Sequence, residues 1–292
     1  MLKVNASMLV MENDKYYYMR KPFTGIAIVV VNGVVQGLTE YKDASRIGAY
    51  INEYLPNDNI LSVDSEYLDP ENEEAYEPRL CYQEELFTGI AYDFEDNGVC
   101  TGESLYIKGC IESCVGYFKS GELQSVELGS NDFSETYEWY ETGQIKNYEV
   151  FEREHFCIKF EFMDDGRLNI LRLDGDYFER IVEISDKLHF KLFQDKDELV
   201  HIKCADRFFV NGTSVNDGII DLLRLNGGFD LTSKLDIHRA SLTIDGYNKL
   251  ASCEKLKHIR VVSDVVEERD LQKLKSILSD CYIELNDEEI TA

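Results

Sequence analysis

Two near-identical pentapeptides, Phe23-Thr24-Gly25-Ile26-Ala27 and Phe87-Thr88-Gly89-Ile90-Ala91, constrain this chain more than any other feature. Each precedes an Asn-Gly turn, at Asn32-Gly33 and Asn97-Gly98, so the two Phe stand 64 residues apart and the turns 65. Self-similarity at a nearly fixed distance marks a repeat protein before anything else can be read. Stacked repeats build long surfaces rather than deep pockets, which favours binding over catalysis.

Weaker copies follow the same grammar. Tyr117-Phe118-Lys119-Ser120-Gly121-Glu122-Leu123 is matched by Trp139-Tyr140-Glu141-Thr142-Gly143-Gln144-Ile145 and then by Phe162-Met163-Asp164-Asp165-Gly166-Arg167-Leu168. The turn glycines at 98, 121, 143 and 166 are therefore 23, 22 and 23 residues apart. The segment 54–60 reads as an earlier copy with Asp58 in the glycine slot, and Phe209-Val210-Asn211-Gly212 as a decayed last one. Aromatic residues, a turn needing positive φ, then an aliphatic residue form a β-hairpin signal. One hairpin is marginal alone, so successive hairpins must stack and share an aromatic face. The low count of four Pro leaves the ladders uninterrupted.

Units of the form aromatic-x-x-(Asn/Ser/Thr)-Gly-x-(Leu/Ile) at about 22-residue spacing resemble MORN-type repeats, and Lys21-Pro22-Phe23-Thr24-Gly25 is similar to the variant of bacterial YwqK-type antitoxin and immunity proteins. The likeness covers roughly residues 15–170, with an extension to about 215. It departs from the family pattern where Tyr41-Lys42-Asp43 lacks the glycine of Tyr106-Ile107-Lys108-Gly109, and where the acidic segment 64–80 interrupts the period. The resemblance implies a bacterial, cytoplasmic immunity protein that neutralises a cognate toxin by direct binding.

From about residue 219 the pattern becomes aliphatic. Leu235, Ile259 and Ile283 are spaced by 24 residues, each opening a short apolar run. That spacing resembles leucine-rich repeats, although an ordinary small βαβα domain would read the same way. Residues 267–279 place Leu271, Leu274 and Leu278 on one helical stripe, and Asp245-Gly246 reads as the cap of a shorter helix over 247–252. The expected fold is thus mainly β: an array of stacked antiparallel, MORN-like hairpins over 1–218, followed by a small α/β, leucine-rich-repeat-like domain over 219–292.

Charge narrows the partner. The chain carries 56 Asp/Glu against 30 Lys/Arg, a net of −26, with −17 in residues 1–150 and −9 in the remainder. Such a surface repels nucleic acid and anionic membrane and attracts a basic protein, such as a nuclease domain. The alternative reading of the acidity is solubility alone. The densest run, 64–77, reads as a solvated loop. No signal peptide and no 18-residue apolar stretch is visible, so no membrane span is expected.

Motifs of catalysis are not found. The five His form no metal-binding spacing, and there is no Walker A loop or nucleophile elbow. The eight Cys, including the C-x3-C of Cys110 and Cys114, read as small hydrophobes in a reducing compartment. Asp164-Asp165-Gly166 and Asp174-Gly175-Asp176 lack the terminal Glu of a calcium loop and read as turns. No enzyme activity, cofactor or metal is expected. The candidate partner-binding residues are the acids Asp93, Glu95 and Asp96 together with Tyr137, Trp139 and Glu141. Strand alternation puts Tyr137, Trp139 and Glu141 on one face, which serves either as core or as an aromatic anchor beside acids. The competing function is a repeat scaffold or adaptor whose C-terminal unit is the binding end.

Overall fold

The computed structural model describes residues 1–51, 60–72, 78–130, 133–152, 155–174, 203–225 and 227–291. The fold is mainly β, with a large and mostly antiparallel sheet. The chain divides into two compact units, Met1–Gly143 and Gln144–Ala292.

The first unit contains a duplication far longer than the pentapeptide. Its first copy runs β1 (Lys3–Asn5), a 3-10 turn (Ala6–Met8), β2 (Val10–Glu12), β3 (Lys15–Tyr18), β4 (Lys21–Pro22), β5 (Gly25–Val31), β6 (Val34–Lys42) and β7 (Ser45–Ala49). The second repeats each step: β8 (Ser62–Asp64), a 3-10 turn (Ser65–Tyr67), β9 (Asp69–Pro70), β10 (Leu80–Tyr82), β11 (Glu85–Leu86), β12 (Gly89–Phe94), β13 (Cys100–Ile107) and β14 (Cys110–Tyr117). β15 (Leu123–Ser130) and β16 (Phe133–Trp139) extend the second copy as an antiparallel meander. The start of the acidic run therefore differs from the solvated loop expected of it. Asp64 caps the 3-10 turn by accepting from the Glu66 N–H, as Asn5 does from Ser7. Residues 73–77 and the supposed early copy over 54–60, apart from Ile60, lie outside the described residues.

The Phe-Thr-Gly words are the corners of this duplicated unit. β1 and β8 run parallel to β5 and β12, bonded through Ile26 N–H to the Leu2 carbonyl (2.8 Å) and Ile90 N–H to the Leu61 carbonyl (2.9 Å). A Cβ on Gly25 or Gly89 would stand 2.3 or 2.2 Å from those carbonyl oxygens, so only glycine admits the crossing strand. Thr24 and Thr88 accept the N–H groups of Asp43 and Lys108 at 2.9 Å each, pinning the next turn. Phe23 and Phe87 are each 2% exposed and sit against Tyr41 and Tyr106. Small three-stranded sheets, β2–β3–β4 and β9–β10–β11, supply Tyr18 and Tyr82 to the same rings.

The copies also hold each other. Asn5 N–H donates to the Gly98 carbonyl of the second hairpin, and Asp64 N–H to the Gly33 carbonyl of the first, both at 2.8 Å. Val4 stands opposite Val99, and Val63 opposite Val34. Each first strand therefore joins its own hairpin to the turn of the other.

In the second unit, β17 (Ile145–Glu152), β18 (His155–Phe162) and β19 (Leu168–Leu173) pair antiparallel with one another in chain order. The turn glycines 98, 121, 143 and 166 all have φ between +77° and +85°, and each N–H closes onto the carbonyl three residues earlier. The 22-residue period thus corresponds to one pair of strands. Phe209-Val210-Asn211-Gly212 departs from that pattern: β20 (Cys204–Asn211) pairs parallel with β19 rather than folding back. The Asn216 side chain instead caps α1 (Asp217–Leu225) by accepting from Gly218 and Ile219.

β21 (Lys234–His238), α2 (Ile244–Lys249), β22 (His258–Val262), α3 (Glu268–Ile277), β23 (Tyr282–Leu285) and β24 (Glu288–Glu289) complete the unit. β20 to β23 run parallel, with Leu235, Ile259 and Ile283 side by side in register. These strands bury one face, and α1 to α3 bury Ile219, Ile220, Leu223, Tyr247, Leu271 and Leu274. The cap of α2 is Thr243 rather than Asp245. Its hydroxyl accepts from Gly246 N–H and donates to Asp217, tying α2 to the start of α1.

Gly89→Ala is expected to destabilise the fold by about 2–3 kcal/mol, because the crossing carbonyl must move to admit the methyl. Gly37→Ala, where nothing lies within 4 Å, serves as the reference. Urea unfolding of both variants measures the difference.

Candidate functional site

Asp93, near the end of β12, stands opposite Gly102 on β13. Its carboxylate occupies the room a side chain at 102 would need, with Oδ2 only 2.5 Å from a Cβ built there. It is half-buried, and after burial itself it is the next cause pushing the Tyr106 hydroxyl up. Glu95 and Asp96 lie in the following turn. Glu95 takes the ammonium of Lys119 at 2.8 Å, across to the turn between β14 and β15, while Asp96 is exposed. Lys119 is 77% exposed, so this pair adds little stability.

Tyr137 is 3% exposed and donates its hydroxyl to Glu135 at 3.0 Å. Trp139 stacks on it, ring centroids 6.1 Å apart at 22°, and remains half-buried. Tyr137 is thus core, and Trp139 is its partly open end. Glu141 lies beyond the end of β16, exposed in the turn that closes on Gly143.

The structure does not gather the six residues into one site. Three strands separate β12 from β16, about 19 Å at the usual strand spacing. It does align their turns. Every second turn of an antiparallel meander returns to the same edge, so Glu95, Asp96, Glu122 and Glu141 form a row there. Lys119 is the base among them.

Two further arrangements lie outside the six candidate residues. Inside the first unit, Lys3 Nζ lies 2.5 Å from Glu103 Oε1 and donates to the Tyr117 hydroxyl at 2.7 Å, which itself donates to Glu103 at 3.1 Å. The two charged side chains are 4% and 0% exposed. The Lys3 ammonium stands 4.3 Å from the Tyr117 ring centroid. Burial, followed by the charge of Glu103, pushes Tyr92, Cys100 and Tyr117 upward. A hundred residues separate Lys3 from Glu103, so no local pattern signals the pair.

In the second unit, the other face of the parallel strands carries Arg207, Lys234, His258 and Tyr282 in one row and Phe209, Asp236, Arg260 and Glu284 in the next. Arg207 bonds Asp236 at 2.9 Å, Arg260 bonds Asp287 at 2.5 Å, and His258 Nε2 lies 3.2 Å from Glu284. The apolar-polar alternation of Lys234-Leu235-Asp236-Ile237-His238 was the available signal for this face. Among the described residues, no group of three or more His, Cys, Asp and Glu could hold a metal ion. Among them, no helix is long and apolar enough to cross a membrane.

No family model matches the chain, and no curated protein matches it in sequence. Among solved structures it is similar to accessory secretory proteins 1, 2 and 3 of Streptococcus pneumoniae, at 14% identity and TM-score 0.22, over 74% of this chain and 41% of that one. The Gap123 glycosylation-associated complex of Streptococcus agalactiae gives 12% identity and TM-score 0.21, over 75% and 51%. A GtfA/B complex gives 13% and 0.22, over 74% and 42%. The chain thus spans about half or less of these structures, and likenesses at this level carry no functional argument.

Glu103→Leu should cost about 3–5 kcal/mol by leaving the Lys3 charge buried and unpaired. The double variant Lys3→Met/Glu103→Leu should recover part of that loss in a double-mutant cycle. The folded-state values of Tyr92 and Tyr117 are raised, so their stabilising effect is complete below about pH 10. Above it the unfolded tyrosines ionise and the folded ones resist, so stability should fall. Denaturation midpoints at stepped pH test the sign. Thiol titration of the folded chain should label exposed Cys110 first and buried Cys100 and Cys204 only after unfolding.

Proposed function

We propose that the chain is a non-enzymatic binding protein that docks a basic protein partner along its acidic turn edge. The row formed by Glu95, Asp96, Glu122 and Glu141 carries this reading, since turns brought to one edge concentrate charge that is scattered in sequence. The net charge of −26 supports it by favouring encounter with a cationic surface. The resemblance to YwqK-type proteins makes the specific form a cytoplasmic immunity protein neutralising a bacterial toxin domain, for example a nuclease. In that reading the antiparallel strands are a MORN-like array and the parallel strands a leucine-rich-repeat-like α/β unit. The exposed Arg207, Lys234 and Tyr282 on the parallel sheet favour a second reading, an adaptor binding through that face.

Co-purification from the native host identifies the partner, and titration calorimetry then separates the readings. Asp96→Lys/Glu141→Lys should weaken binding at least about tenfold, and raised salt should weaken it further. Full affinity in that variant with loss in Arg207→Ala/Lys234→Ala would transfer the site to the parallel sheet.

A further inference from the structure

The two copies in the first unit share a scaffold, so differences between them are informative. Each copy covers its Phe with a three-stranded sheet, and the tips of these sheets have diverged. In the first, Val10, Met11 and Met19 are 56%, 61% and 63% exposed, and Arg20 and Lys21 follow Met19 into β4, across β3 from Val10 and Met11. At the equivalent positions of the second are Asp69, Pro70, Gln83, Glu84 and Glu85, all exposed. The equivalence is structural: Met11 stands opposite Tyr16 as Pro70 stands opposite Leu80. Two successive charges are therefore reversed, Arg20 against Glu84 and Lys21 against Glu85.

The two tips share their backbone conformation. Met19 and Arg20 have φ of +47° and +65°, and Gln83 and Glu84 have +52° and +70°. Such turns prefer Asn-Gly, which this chain uses at Asn32-Gly33. Left-handed Met, Arg, Gln and Glu are strained, and the same left-handed pairing of non-glycine residues recurs at Asn13-Asp14, Asp43-Ala44 and Asn286-Asp287. The edges differ too. Pro70 has no N–H to offer along β9, whereas β2 keeps an ordinary edge with Met11 at its centre.

We propose that the first tip of one molecule docks on the second tip of another copy of this chain. Arg20 and Lys21 meet Glu84 and Glu85, and Met11 and Met19 lie against the half-exposed Tyr67 and Pro70. At physiological salt the Debye length is about 8 Å, so the repulsion between two chains of net charge −26 is screened beyond the contact, while the opposed charges at the contact are screened less. A tip this small falls below the roughly 1,200 Å² of a standard interface, so the association is weak and concentration-dependent.

Sedimentation equilibrium of the full chain at physiological salt is the test. The expected mass rises above the 33.7 kDa monomer as concentration is raised to about 200 µM. Arg20→Glu/Lys21→Glu and Glu84→Arg/Glu85→Lys should each remain monomeric alone, and an equimolar mixture of the two should associate again. Met19→Asn/Arg20→Gly should raise the melting temperature while abolishing association, which a purely structural turn would not do. A wild-type chain monomeric throughout overturns the proposal. So does a mixture of correctly folded charge variants that stays monomeric, which would leave the first tip to an acidic protein of another kind.

Discussion

The first unit depends on one close contact, made twice: a backbone carbonyl lying over a glycine at the start of a hairpin. Leu2 over Gly25 and Leu61 over Gly89 bring a short parallel strand onto a long antiparallel pair. Any side chain at the glycine would push that strand away, and with it Val4 or Val63, both fully buried. The Phe two residues earlier seals the same corner, and the Thr between them holds the following turn. Three adjacent residues thus serve three different elements, which is why this word survives in both copies while its surroundings have drifted.

Reciprocity between the copies follows. Each short strand reaches past its own hairpin to the Asn-Gly turn of the other, so neither copy completes its hydrogen bonding alone. Against this near-symmetric frame, the Lys3–Glu103 pair stands on one side only. It joins the first strand to the hairpin of the second copy and has a fully satisfied neighbour in Tyr117. Buried charges are costly, and their best-attested use is to specify one arrangement among similar ones. A chain holding two interchangeable halves is a setting where that specificity has value.

Acidity has a similar logic. The candidate residues Asp93, Glu95, Asp96, Tyr137, Trp139 and Glu141 divide by environment: Asp93 packs over a glycine, Tyr137 is core, and Asp96 and Glu141 face solvent from aligned turns. Turn spacing was legible in the sequence, because positive-φ glycines recur where the meander reverses. Which side of the sheet was open was not, since alternation along β16 is the same whichever face is covered.

By itself the sequence determined the corners, the turns and the strand-pair period, since glycine, Asn-Gly and aromatic runs act through local sterics. It also carried the 24-residue spacing of Leu235, Ile259 and Ile283, which the parallel register places side by side. Only the tertiary structure decided that Val63 and Asp64 open a second copy rather than a loop. The matching words, Val4-Asn5 and Val63-Asp64, are too short to stand out until their strands are seen beside β5 and β12. It alone paired Lys3 with Glu103 and ran β20 parallel to β19, because such choices depend on what a distant segment covers.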